Sequence, residues 1–272
     1  MDWLDALREL RETRTPAVIV TLAMVRGHAP RNGGAKMVVA PDRIVGTVGG
    51  GNLEATAIDR ARSMLATGSA EVELLTLTLS DKATTEYGVQ CCGGEVTIML
   101  EPVRVVPSVA VFGMGHVGLE LARILARHEL ELHLVDSRAE MLQPKRLAPA
   151  TDDAVARVGV HHSPAPESVL RMLPAGAHVL VMTHDHLEDL AIVDQALRTA
   201  GLGSIGLIGS ASKWARFRRK LTEAGHSAQA LERVTTPIGI AEVAGKQPAV
   251  IAVSVAARIL QLIEEAAPLA SE

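Results

Sequence analysis

The stretch Val109-Ala-Val-Phe-Gly-Met-Gly-His-Val-Gly118 decides how the second half of this chain is read. Its apolar run predicts a buried strand, its glycines a tight turn, and the amphipathic segment after it a helix. A second strand then ends in His133-Leu-Val-Asp136. In such a unit Gly113 makes the turn, Gly115 lets the backbone approach a phosphate, and Gly118 lets helix and strand pack closely. Unpaired N–H groups and the dipole at the helix N-terminus favour an anion there. Asp136, about 20 residues downstream, is placed to accept from a ribose hydroxyl. His116 lies inside the turn, either facing a ligand or standing on the surface of the first helical turn. Packing alone would also require glycines here, so the motif by itself leaves ligand binding open.

Outward from this stretch, strand and helix alternate. Strands are predicted at 109–113, 131–136, 178–183 and 204–208, and helices at 115–128, 185–200, 210–224 and 248–265, with a short helix between Pro164 and Pro174. The alternation predicts an α/β domain with a doubly wound parallel sheet, whose ligands sit at the carboxyl ends of the strands. Upstream the pattern differs. A helix over Asp2–Arg14 precedes strands from Ala17, Ala35 and Ile44, a helix from Asn52 to Ala66, and strands from Val72 and Glu95. This is a mixed α+β domain. The prolines of Glu101-Pro-Val-Arg-Val-Val-Pro107 suit a linker, giving domains over 1–104 and 105–272.

Composition bounds the function classes. Aromatic residues are 2% of the chain against 48% apolar, so any core must be aliphatic. The formal charge of −4 gives no electrostatic reason to expect a nucleic-acid partner. No apolar run reaches the roughly 18–20 residues that span a bilayer. The amino end, with acids among its apolar residues, lacks a signal-peptide pattern. The adjacent Cys91 and Cys92 make a poor structural disulfide and fit a reducing, cytoplasmic setting.

Four constellations could carry chemistry. The first is Gly113, Gly115, His116, Gly118 and Asp136. The second is Thr183-His-Asp-His186 with Asp189: His184, Asp185, His186 and Asp189 could hold a metal or polar ligand, yet Asp185 equally suits a helix N-cap and Asp189 the first turn. In the third, Gly206-Leu-Ile-Gly-Ser-Ala-Ser-Lys213, Ser210, Ser212 and Lys213 suit an oxyanion, while the following Arg216, Arg218, Arg219 and Lys220 read as a solvated basic face. The fourth is a set of glycine-rich loops in the first domain: His28-Ala-Pro-Arg31 through Lys36, Gly46-Thr-Val-Gly49-Gly50-Gly51, and Cys92-Gly93-Gly94. Three such loops are entropically costly unless they wrap something. A thiolate beside two glycines, its pKa lowered by Arg31 or a helix end, suits a soft metal or sulfur transfer.

Taken in order, these motifs resemble the XdhC/CoxI family of accessory proteins for molybdenum hydroxylases. The likeness runs through Ala29-Pro-Arg31, Gly34-Ala-Lys36, Gly46-Thr-Val-Gly-Gly-Gly51 with Glu54, Cys92-Gly-Gly94, Gly113-Met-Gly-His116, Asp136-Ser-Arg138, Thr183-His-Asp-His186, Gly206-Leu-Ile-Gly-Ser210 with Lys213, and Pro237-Ile-Gly239. The resemblance implies a Rossmann-like second domain and a chaperone, not an enzyme. Such a protein binds the molybdenum cofactor (molybdopterin), promotes its sulfuration by a cysteine desulfurase, and delivers it to an apo molybdenum hydroxylase of the xanthine dehydrogenase type. Cys92 is then the metal contact, with Arg31 and Lys36 as cations for the pterin or its phosphate. Cys91 falls outside the pattern, and His28 and Asn32 stand where the family often has serine and proline. Exposed edges and Val/Leu-rich strands permit a homodimer. The alternatives are an NAD(P)-dependent oxidoreductase using the glycine-rich turn, for which no dehydrogenase-type catalytic motif is evident, and a redox-sensing regulator built on the cysteine pair.

Overall fold

The computed structural model describes residues 2–79, 94–243 and 245–266. The chain divides into two compact units, one built on residues up to Val105, the other on Val106–Ile263.

The first unit runs α1 (Trp3–Glu12), β1 (Ala17–Arg26), β2 (Lys36–Val39), β3 (Ile44–Gly46), α2 (Gly51–Thr67), β4 (Glu73–Leu79), β5 (Gly94–Val103). Asp2 caps α1 by accepting from the backbone N–H groups of Leu4 and Asp5. The strands form one antiparallel sheet in the order β3-β2-β1-β5-β4. Alternation along the strands sends two sets of side chains to two helices. Val18, Val20, Leu22, Met37, Val39, Ile98 and Leu100 pack on Leu53, Ala57, Ala61 and Met64 of α2. Ala17, Val38 and Ala40 pack on Leu10 of α1.

The expected linker from Glu101 starts later than predicted. β5 continues to Val103, with Pro102 opposite Val18 of β1. β4 begins opposite Leu100, so at Pro102 the strand has lost one neighbour, the setting in which a strand accepts proline.

The second unit runs β6 (Ser108–Phe112), α3 (His116–Leu125), β7 (Glu131–Asp136), α4 (Pro144–Thr151), β8 (Arg157–His162), β9 (His178–Val181), α5 (His186–Arg198), β10 (Ser204–Leu207), α6 (Ala211–Glu223), α7 (Ala228–Leu231), β11 (Val234–Thr235) and α8 (Pro248–Ala266). Short 3-10 turns cover Ala139–Leu142 and Pro166–Met172, the second where a short helix was expected. All six strands are parallel, in the order β11-β10-β9-β6-β7-β8. Counted from β6 this is the order of the dinucleotide-binding doubly wound fold. β6 and β9 are buried along their whole length, as central parallel strands are. Val109, Val111 and Leu180 face α3, α4 and α8, while Ala110, Phe112, Val179 and Val181 face α5 and α6. Among the described residues no helix is long and apolar enough to cross a membrane.

Candidate functional site

β6 and β9 are neighbours whose following helices leave on opposite faces of the sheet, which makes their carboxyl ends the switch point where such folds bind ligands. Gly113 ends β6 at φ 104° and donates to Val135 O at 2.8 Å. A Cβ on Gly113 would overlap the carbonyl of Met182, and one on Gly118 the carbonyl of Gly113. These two glycines are therefore demanded by packing. Gly115 is different: nothing lies within 4 Å of the place its Cβ would take. It is the N-cap of α3, and no side chain caps that helix. His116 follows, exposed. The turn thus offers backbone donors and open space at the same point.

Two charged groups hold the turn at Met114. Asp136 accepts four hydrogen bonds: from Met114 N at 2.7 Å, Arg138 N at 2.9 Å, Arg138 Nε at 2.9 Å and Arg138 Nη2 at 3.0 Å. Its side chain is 1% exposed. Four acceptances fill a carboxylate's capacity. The expected ribose contact is therefore corrected, because Asp136 is spent on fixing the glycine turn. Burial pushes its carboxyl up, but hydrogen bonds from the Arg138 side chain and from the Arg138 and Met114 amides, with Arg138's charge, hold it below the usual carboxylate range. From the other side Arg146 of α4 donates Nη2 to Met114 O at 3.1 Å, while its buried Nε has no partner among the described residues. Sequence reading missed Arg146, which lies beyond the motif in a proline-flanked segment.

The second and third constellations turn out to be joined. Asp185 is the N-cap of α5, accepting from Leu187 N at 2.7 Å, so the capping alternative describes it. Asp189 is fully buried and accepts from Thr183 N at 3.0 Å, Thr183 Oγ1 at 2.7 Å and Lys213 Nζ. Lys213 also donates to Ile208 O at 2.8 Å and lies over the Phe217 ring. The expectation that Lys213 meets a ligand oxyanion is thus corrected. Its anion is Asp189, and the pair ties the end of β10 to the start of α5. Ser210 is the N-cap of α6, accepting from Lys213 N at 3.3 Å. His184 and His186 are exposed, His186 edge-on to Phe217. No group of three metal-type ligands occurs among the described residues.

In the first unit the loops converge in part. Pro30 packs on Gly49, where a Cβ would meet its ring at 2.8 Å, and Gly94 lies against the carbonyls of Arg26 and His28. The amides of the loop that precedes α2, however, are already engaged in part, Gly49 N donating to Thr47 Oγ1 at 3.1 Å. Glu54 accepts from Thr47 Oγ1, from Val48 N at 3.2 Å and from Gly50 N at 3.2 Å. Of the expected cofactor contacts Gly49, Gly50 and Gly51, an internal carboxylate therefore takes the amide of Gly50, while no side chain caps α2 itself. Lys36 is corrected as well. Its Nζ donates to Thr21 Oγ1 at 2.8 Å and lies 5.3 Å from the Trp3 ring centre, on the α1 face of the sheet and away from α2. Arg31 is exposed and makes no hydrogen bond or ion pair among the described residues. Cys91, Cys92 and Gly93 lie outside them.

Residues 10–77 match the XdhC and CoxI family, and residues 109–259 match the XdhC Rossmann domain. The chain belongs to the XdhC and CoxI family. A relative in Escherichia coli (strain K12), the uncharacterized protein YqeB, is 25% identical over 254 residues, which is 93% of this chain and 45% of that protein. This chain thus spans less than half the length of that relative. A crystal structure from Bacillus halodurans, named a xanthine dehydrogenase, aligns with 100% of this chain and 98% of its own at 18% identity and a TM-score of 0.50, a likeness of fold.

Proposed function

We propose that the protein is an accessory factor for a molybdenum hydroxylase of the xanthine dehydrogenase type. It holds the molybdenum cofactor as cargo, presents it to a cysteine desulfurase for sulfuration, and delivers it to the apo-enzyme without a turnover of its own. Family membership supports the accessory role. Within the first unit, Cys92 is assigned to the molybdenum of the cargo and Arg31 to its anionic groups. Within the second, the turn at Gly115 is assigned to a phosphate, carried either by the pterin or by a nucleotide.

One observation carries the ligand assignment in the second unit. Of the three motif glycines, only Gly115 faces open space, at a helix N-terminus that no side chain caps. A carrier also fits Asp136 better than a nicotinamide-dependent enzyme does, since that carboxylate has no lone pair left for a ribose hydroxyl. No group of three metal-type ligands accompanies the turn among the described residues.

The test is reconstitution. Apo-hydroxylase is incubated with molybdenum cofactor and a cysteine desulfurase, with and without this protein. The proposal predicts faster and more complete activation with it, and none of the gain with Cys92→Ala. Equal activation in all three would overturn the accessory role. Adenosine monophosphate and NADP+ competing for the Gly115 turn without disturbing cofactor loading would assign that phosphate to a nucleotide.

A further inference from the structure

A cleft of about 600 Å³ opens beyond the carboxyl ends of β10 and β11, and no residue of the glycine turn lines it. Ile208, Ile238, Val243 and Ile251 make its walls, with Ser210 at the start of α6 and Lys246 at its rim. The volume lies in the range of small-molecule sites, which are mostly apolar with a few polar groups that orient the ligand. Its shape is held in place. Ser254 Oγ accepts from Ile240 N at 2.7 Å and donates to Ile240 O at 3.1 Å, and Gly239, at φ 94°, backs directly onto Ser254. Lys213 is consumed by Asp189 and by Ile208 O and is not among the residues that line the cleft. Lys246 makes no ion pair among the described residues, and Val243 leaves 40% of its surface in water at the cleft.

We infer that this cleft is a second binding site, distinct from the glycine turn, for a largely apolar molecule bearing an anionic group. The apolar walls reject a bare inorganic anion or a sugar, which would lose its water without replacement. Lys246 supplies the charge that fixes which end of the ligand faces out. The site does not depend on the cargo proposed above.

The test uses two fluorescent probes of one shape: 1-anilinonaphthalene-8-sulfonate, which carries an anion, and N-phenyl-1-naphthylamine, which does not. The intact protein binds one sulfonate probe per chain. Lys246→Gln weakens the sulfonate probe by about tenfold or more and leaves the neutral probe within about twofold. Ile251→Trp, which fills the cleft, weakens both by about tenfold or more while circular dichroism stays unchanged. Lys145→Gln and Gly115→Val leave both probes unaffected. The inference is overturned if Lys246→Gln changes neither probe or both equally, or if folded Ile251→Trp binds both as the parent does. Lys246 is exposed, so its variant decides the matter even where the tryptophan variant does not fold.

Discussion

Replacing Lys213 by Met tests whether that residue is part of the frame or part of a ligand site. The side chain is 8% exposed and its partner Asp189 1%. Removing the ammonium strands a buried carboxylate with only the amide and hydroxyl of Thr183, and leaves Ile208 O without its donor. Breaking a buried pair from one side costs about 3–5 kcal/mol. At ~2–4 °C per kcal/mol for a unit of this size, the thermal midpoint should fall by about 6–20 °C. The double variant Lys213→Met, Asp189→Asn removes the stranded charge as well and should recover part of that loss. Thermal and urea unfolding followed by far-ultraviolet circular dichroism give both numbers. The reasoning fails if Lys213→Met costs less than ~1 kcal/mol, and fails outright if stability is intact while phosphate-ligand affinity collapses.

Three further outcomes follow from the same contacts. Gly118→Ala should destabilise the second unit, because its Cβ meets the carbonyl of Gly113, whereas Gly115→Ala should leave the thermal midpoint unchanged and weaken phosphate-ligand binding, read by calorimetric titration. The depressed pKa of Asp136 means that its pair with Arg138 is fully effective above the unfolded value near ~3.9 and is lost as pH falls through the folded one, so Asp136→Asn should flatten the acid limb of a stability-against-pH curve. Burial lowers the pKa of His178 and His161, so the folded protein binds fewer protons than the unfolded chain. Their contribution is complete above ~6.5 and declines as pH falls, and His178→Gln should reduce the loss of stability between pH 7 and pH 5.

The β6–α3–β7 unit was legible because its apolar runs, glycine spacing and terminal acid all agree. Other elements were hidden for physical reasons. β8 is an edge strand, RVGVHH, with no apolar run to announce it, and α4 carries Pro144 at its first turn and Pro149 inside. β11 is two residues long. The site misled in one consistent way. Lys213, Asp136 and Gly50 all bear the marks of anion or hydroxyl recognition, and in each case the chain supplies the partner itself through Asp189, Arg138 or Glu54. Sequence spacing does not distinguish an internal carboxylate from an external phosphate, since both satisfy the same donors. Arg146 shows the converse, a cation at the turn that no motif marked.

The most direct test is equilibrium binding of isolated molybdenum cofactor, measured anaerobically, to the wild-type protein and to Cys92→Ala. The account predicts saturable binding by the wild type, lost in a variant whose circular dichroism and thermal midpoint are unchanged. Absence of binding to the wild type would contradict the carrier role, and undiminished binding to Cys92→Ala would remove that thiol from the site.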